Sequence, residues 1–403
     1  MKKLLSLFIV LLTAGCSDNF VSPDNPPNLR LLSTAETAVS TSLNDFSFKL
    51  FRKIDAGENT FISPLSVSIA LGMVLNGASE ETQQSIINTI DFDNLSADEL
   101  NQAYKDLIAL LESMDNTIEL GIANSVWYHN SYNVNQAFSA TIEDYYDGKV
   151  RALDFGSASA KNTINQWVED KTNSRIKNLL ENISADEVMF LINAIYFKGQ
   201  WQYQFDAAHT HHTEFMREDG TTTQVNMMRS KGAKIQYNST DNMQLIDVPY
   251  GNGQFRMTIL QPTSGTLHNF SESLTANKLN DWLEASDSLS TELEIPKFKM
   301  TWKNDLRGVL EEMGMKMDGF PKLLETTSNL AISRVVHQSF LEVNEKGSEA
   351  AAATAIGIEF TNLPSKPLRI TVDKPFLFFI REKHSGVILF SGQLVDPSAL
   401  ESR

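Results

Sequence analysis

The sequence predicts an α+β fold, and three observations predict it. Residues 187–197 are a near-continuous apolar run, which suits a strand buried on both faces. Residues 59–66, Asn-Thr-Phe-Ile-Ser-Pro-Leu-Ser, start a helix cleanly. Helices and long strands then mix without regular strand–helix–strand alternation.

The elements follow in chain order. Lys2 and Lys3 form a positive n-region and residues 4–12 an apolar stretch, too short to span a bilayer but right for a secretory signal over residues 1–15. Leu-Thr-Ala-Gly-Cys at 12–16 resembles a bacterial lipobox, with Thr13 where Leu is usual. Cys16, the single cysteine, is then the lipidated N-terminus. The alternative is a plain signal peptide with a free thiol. Either way no intrachain disulfide forms. Residues 16–40, rich in Ser, Thr, Asn, Asp and Pro, read as a flexible tether. No comparable linker interrupts the rest, so 41–403 is expected to be one domain.

Ser63 suits a helix N-cap, Pro64 the first helical position, and Ile62 can staple onto Val67. This helix should end near Asn76 and Gly77. Helical patterns fill 96–114, 162–180 and 305–313. Strands are expected at 291–300, 332–343, 368–380 and 386–395, with a hairpin at Ser385-Gly386. Asn193 lies in the middle of the apolar strand 187–197. An unpartnered buried amide costs about 1–3 kcal/mol. His337, sharing a face of 332–343 with Val335, Ser339, Leu341 and Val343, is its candidate partner.

A net charge of −16 argues against nucleic acid and against a sulfated polysaccharide. No G-x-S-x-G, H-E-x-x-H or phosphate-binding loop is present, so enzyme catalysis is not expected. Gly251-Asn252-Gly253 lacks a third glycine, and His209, His211 and His212 read as a solvated loop, so neither cofactor nor metal is expected.

Residues 345–360 read Glu-Lys-Gly-Ser-Glu-Ala-Ala-Ala-Ala-Thr-Ala-Ile-Gly-Ile-Glu-Phe. The four alanines suggest helix, but the Thr and Ile-Gly-Ile that follow break any helical stripe. Small side chains let such a segment slide between two existing strands.

This segment resembles the hinge and reactive-centre loop of inhibitory serpins. Further similarity runs through 59–66, 123–127, 165–168, 193–201, 248–250, 295–298, 343–353 and 373–378, in order and spacing, across most of 43–397. The resemblance implies three β-sheets, eight or nine helices and an exposed loop. It implies that Ser63, Ser66, Asn193 and His337 form a polar cluster beneath the main sheet, which must open to admit a strand. It implies that Lys297 pairs with Glu345 where insertion begins, with Trp201 beneath. The hinge would comprise Glu345, Gly347, Ser348, Glu349, Ala350, Ala351, Ala352, Ala353 and Thr354. Gln338 departs from the family's usual Lys, Met313 from its Leu, and residues 321–330 lack its Asp-Phe-Ser stretch.

The implied activity is suicide inhibition of serine proteases by a monomer. Counting from Gly347 by the family's loop length puts the scissile bond at Thr361–Asn362, suiting elastase-like or subtilisin-like enzymes. A shift of one residue presents Phe360 to chymotrypsin-like enzymes. The competing reading is a non-inhibitory serpin acting as a surface binding protein; such members carry bulky or charged hinges. The chain is expected to be exported and held at a membrane only through its lipid, in the periplasm or at the cell surface, or else secreted.

The lipobox reading has a direct check. Full-length protein made in a bacterium fed a labelled fatty acid should carry the label, and Cys16→Ser should lose it. Undiminished labelling of the variant would contradict lipidation at Cys16.

Overall fold

In the computed structural model, residues 26–92, 95–326, 330–348 and 368–400 are described. Cys16, Glu349, Ala350–Ala353, Thr354, Phe360, Thr361 and Asn362 lie outside them. Nine α-helices are present among the described residues: α1 (Thr34–Ile54), α2 (Pro64–Leu75), α3 (Glu80–Ile90), α4 (Ala97–Ser113), α5 (Gln136–Tyr146), α6 (Ala160–Lys171), α7 (Leu267–Glu272), α8 (Ala276–Glu284) and α9 (Arg307–Glu312). The strands are β1 (Thr60–Ile62), β2 (Ile118–His129), β3 (Lys149–Leu153), β4 (Met189–Gln200), β5 (His211–Met216), β6 (Thr222–Ser239), β7 (Met243–Pro249), β8 (Phe255–Pro262), β9 (Asp287–Pro296), β10 (Phe298–Asp305), β11 (Arg334–Asn344), β12 (Gly347–Ser348), β13 (Leu368–Thr371), β14 (Phe376–Glu382) and β15 (Ile388–Leu394).

Two hydrogen-bonded ladders result. The main sheet runs β10-β11-β4-β2-β3, with the two-residue β12 wedged between β11 and β4 at one end. The second runs β1-β15-β14-β8-β7-β6-β9-β13, with β5 on β6. The expected three sheets appear as two because β6 and β9 are long enough to continue from one layer into the next. Their register shifts between Lys231 and Ala233. Gly232 takes up that bulge at φ +81°, a conformation that favours glycine.

Helix α2 lies between the ladders, in contact with β4, β2 and β15. Every one of its residues is buried. An all-round apolar helix of this kind can only sit inside a core. A second apolar cluster lies on the opposite face of the main sheet, joining Ile164 and Val168 of α6 to Trp127, Phe190, Ile192, Val336 and Phe340.

Several boundaries differ from expectation. The expected strand 291–300 is two strands in different sheets: β9 ends at Pro296, which has no N–H to continue a ladder, and β10 begins at Phe298. Pro375 likewise precedes the start of β14, so 368–380 divides into β13 and β14. The helix expected over 162–180 stops at Lys171. There the Thr172 hydroxyl donates to Val168 O (2.7 Å) and accepts from Ile176 N (3.1 Å), and Asn173 and Ser174 turn to positive φ. Helical structure begins before the expected tether boundary at Ser40, because α1 starts at Thr34. Ser33 and Glu36 form a reciprocal capping box, and Val39 and Ser40 are already buried.

Candidate functional site

The seam between β4 and β11 brings the expected site residues together. The two strands pair directly and in parallel from Phe190↔Arg334 to Tyr196↔Phe340. Beyond that point they part, and β12 occupies the gap. Ser348 pairs with Val343 on one side and Gly199 on the other, and Gly347 with Asn344 and Gln200. Gly347 has φ +148°, and a Cβ there would lie 2.1 Å from Gly199 O. Glycine is therefore required at the mouth of the gap.

Side chains fix this mouth. Trp201 is fully buried, and its indole N–H donates to Asn344 O (2.9 Å) while its backbone N–H donates to Lys346 O (2.9 Å). Tyr250 stacks on it with ring centroids 4.2 Å apart. The Tyr250 hydroxyl bonds the Ser348 hydroxyl at 2.7 Å, holding the buried Ser348 side chain in the gap. Lys297 Nζ lies 3.0 Å from one Glu345 carboxylate oxygen, and Thr210 Oγ1 donates to the other at 2.9 Å. Burial works to raise the Glu345 pKa, but hydrogen bonds from its own backbone, Lys297 and Thr210 leave it below the usual range.

Lower in the seam lies the polar cluster. Ser63 N–H donates to His337 Nε2 at 3.3 Å. That nitrogen is therefore the acceptor, so Nδ1 carries the proton and donates to Asn193 Oδ1. Asn193 Nδ2 reaches Ser66 O (2.7 Å), the Ser66 hydroxyl and Asn124 Oδ1 (2.5 Å). The Ser63 hydroxyl donates to Leu389 O of β15 (2.6 Å) and accepts from Ser66 N (3.2 Å), the N-cap bond of α2. Burial drives the His337 pKa down to about 3, so the ring is neutral.

Ser63, Ser66, Asn193 and His337 thus meet in one cluster, while Trp201, Lys297 and Glu345 meet at the mouth. Sequence reading missed Asn124, which faces Asn193 across β2–β4; its signal was a second Asn inside an apolar strand. It also missed the Tyr250–Ser348 and Thr210–Glu345 bonds, which join distant segments and leave no local pattern. Ser339, on the His337 face, donates to Phe61 O at 2.5 Å. His209 sits 3.2 Å from Asp206, and no metal-competent group of three or more His, Cys, Asp or Glu occurs among the described residues.

Comparison with known proteins places this arrangement. The family model Serpin (serine protease inhibitor) matches residues 41–397. The chain belongs to the serpin family. Human Serpin B11 is 32% identical over 393 residues, covering 89% of this chain and 100% of that protein. An uncharacterized serpin-like protein of Methanosarcina acetivorans is 32% identical, covering 96% of each chain. Among solved structures, the thermophilic serpin tengpin in the native state matches with a TM-score of 0.83 at 28% identity, covering 92% of this chain and 97% of that one. Human thyroxine-binding globulin complexed with thyroxine matches at 0.84 and 28%, covering 90% and 100%. Serpins are generally protease inhibitors rather than catalysts, yet a thyroxine-binding member shares this fold equally well.

The buried imidazole gives a pH prediction. Unfolding raises the His337 pKa from about 3 to its ordinary 6.5, so the unfolded chain binds the extra proton. Its contribution is complete above pH ~6.5 and falls by about 1.4 kcal/mol per pH unit below that. Urea midpoints measured between pH 7.5 and 5.5 should drop for the wild type and stay nearly flat for His337→Gln. Parallel curves would contradict a neutral buried His337.

Proposed function

We propose that the protein is a suicide-substrate inhibitor of serine proteases, presenting Thr361–Asn362, or Phe360 one residue upstream, as bait. The protease serine attacks the scissile carbonyl and forms an acyl-enzyme. The freed hinge then enters the β4–β11 seam as a new strand and carries the tethered protease along. A strand of about 15 residues at ~3.3 Å each moves it roughly 50 Å.

The observation that carries this reading is the register of β12. Extended by six residues from Ser348, the pairing brings Thr354 opposite both His337 and Asn193. A threonine hydroxyl can accept from His337 Nδ1 and donate to Asn193 Oδ1. The polar pair that must part is thus satisfied by the strand that parts it. Ser348, Ala350, Ala352 and Thr354 share the α2-facing side, where bulk would be resisted.

The likeness to thyroxine-binding globulin favours a second reading, a non-inhibitory binding protein. The small residues of the hinge weigh against it. No basic residue lies between Gly347 and Ser365, so trypsin-like targets are not expected unless Lys366 is used. We further propose that the protein is an exported, monomeric lipoprotein held at the membrane through Cys16.

Incubation with elastase, subtilisin, chymotrypsin and trypsin should give an SDS-resistant complex with one of the first three. The released peptide should begin at Asn362, or at Thr361 if Phe360 is the bait. Simple cleavage by all four, with no rise in melting temperature, would overturn the inhibitory reading.

Ala350→Arg should convert the inhibitor into a substrate. Insertion would carry this α2-facing position into the core, forcing a charge there at a cost of several kcal/mol. The variant should be cut at the wild-type rate without forming complex. A wild-type yield of complex would sink the insertion account.

A further inference from the structure

The lower half of the same seam carries contacts that strand insertion does not explain. Arg334 is the first residue of β11 and lies directly opposite Phe190 of β4. Its guanidinium grips Glu187 in a two-pronged bond (2.6 and 2.7 Å) and donates to Asn182 O at 2.9 Å. It also lies 4.7 Å from the centroid of the Phe190 ring. Next to it, Ser333 N donates to Met189 O (3.0 Å), and Val188 N donates to the Ser333 hydroxyl (3.2 Å). Lys303 of β10 reaches Glu181 at 2.8 Å.

Glu181, Asn182 and Glu187 all belong to the segment leading from α6 into β4. Arg334 and Lys303 belong to the other side of the seam. The segment is therefore fastened across it. Its Ile176, Leu179 and Leu180 also share one apolar cluster with residues of both β4 and β11.

We propose that Arg334, with Glu187 and Asn182, forms a catch that must release before an inserting strand can complete its run. This rests on the inhibitory reading above. Neighbouring strands lie ~4.8 Å apart, and a strand placed between them doubles that distance. An Arg–carboxylate pair already in close contact cannot span the extra width. Nine residues separate Val343 from Arg334, so the catch is met nine residues beyond Ser348, ~30 Å into the seam. By then the Lys297–Glu345 mouth and the His337 cluster have been passed. Arg334 is thus a positioning residue that governs the last stage of insertion, where the acyl-enzyme is either trapped or hydrolysed.

The test uses the full chain, with Arg334→Gln and Glu187→Gln as separate variants. The ratio of cleaved inhibitor to protease complex should fall about two- to fivefold in each, the rate change expected from removing a part-exposed charge pair. Arg334→Lys keeps the charge but not the fork, and should fall between. Arg229→Gln is the control. It breaks a comparable pair with Glu292 at 2.7 Å in the second ladder, away from the seam, and should leave the ratio unchanged.

A second readout is the rate at which each protein anneals a synthetic peptide of residues 348–359. It should rise in Arg334→Gln and not in Arg229→Gln. Faster annealing without any complex formation by the wild type would keep the catch and overturn the inhibitory reading. Equal annealing rates in wild type and Arg334→Gln would overturn the catch, whether or not complexes form.

Discussion

The neutral imidazole of His337 is the interaction on which the rest of the structure turns. It accepts from the N-cap of α2 and donates to Asn193 on β4, while itself belonging to β11. Ser63 then passes the connection to β15 through Leu389. A single buried ring therefore ties both sides of the seam to the central helix and to the second ladder. Its low pKa follows from the same burial. An apolar contact at this point would hold the strands as well, but parting it would leave a void. A hydrogen-bonded pair can be parted at little net cost if the incoming group restores both bonds. The polar cluster is thus suited to exchange rather than to permanence.

The two ends of the seam are built differently. At the mouth, Gly347 and Ser348 are already paired on both sides, so in the proposed insertion the costly first step has been taken in advance. Each later residue adds ladder bonds beside ones already made. At the other end the strands are directly paired and cross-fastened by Arg334. In the proposed insertion the gap therefore opens from the mouth toward Arg334. In the proposed mechanism, stability of the uncleaved form and speed of insertion draw on the same contacts, since whatever holds the seam closed also resists the strand.

Much of this was legible in the sequence. Ser63-Pro64 announced α2, because capping chemistry is local. Asn193 stood out as an amide in an apolar strand, and strand alternation put His337 on a matching face. Ser33 and Glu36 carried an equally local capping signature, outweighed by the polar composition around them. The breaks at Lys171 and Pro296 were hidden because apolar residues continue past both. Ile176, Leu179 and Leu180 are buried, yet in a loop; β10 continues the strand pattern of β9, yet in another sheet. Periodicity reports burial, not which element supplies it. Contacts such as Tyr250–Ser348 depend on segments brought together by the whole topology.

Glu349 looks out of place among the small residues of the hinge, and the register explains it. In the proposed inserted state it falls on the face away from α2, between Glu342 and Lys198. Both side chains are about one-third exposed, Lys198 at 29% and Glu342 at 33%, so solvent still reaches this rim. The like charge of Glu342 is countered by Lys198 on the other side and by Lys299 at 3.8 Å from Glu342. Two residues further, Ala351 would face Phe340 and Tyr196, and Ala353 would face Gln338 and Ala194. Those four are buried, and a carboxylate there would be desolvated. Glu349 thus takes an outward position where the seam can accommodate an acid, and the alanines begin where that tolerance ends.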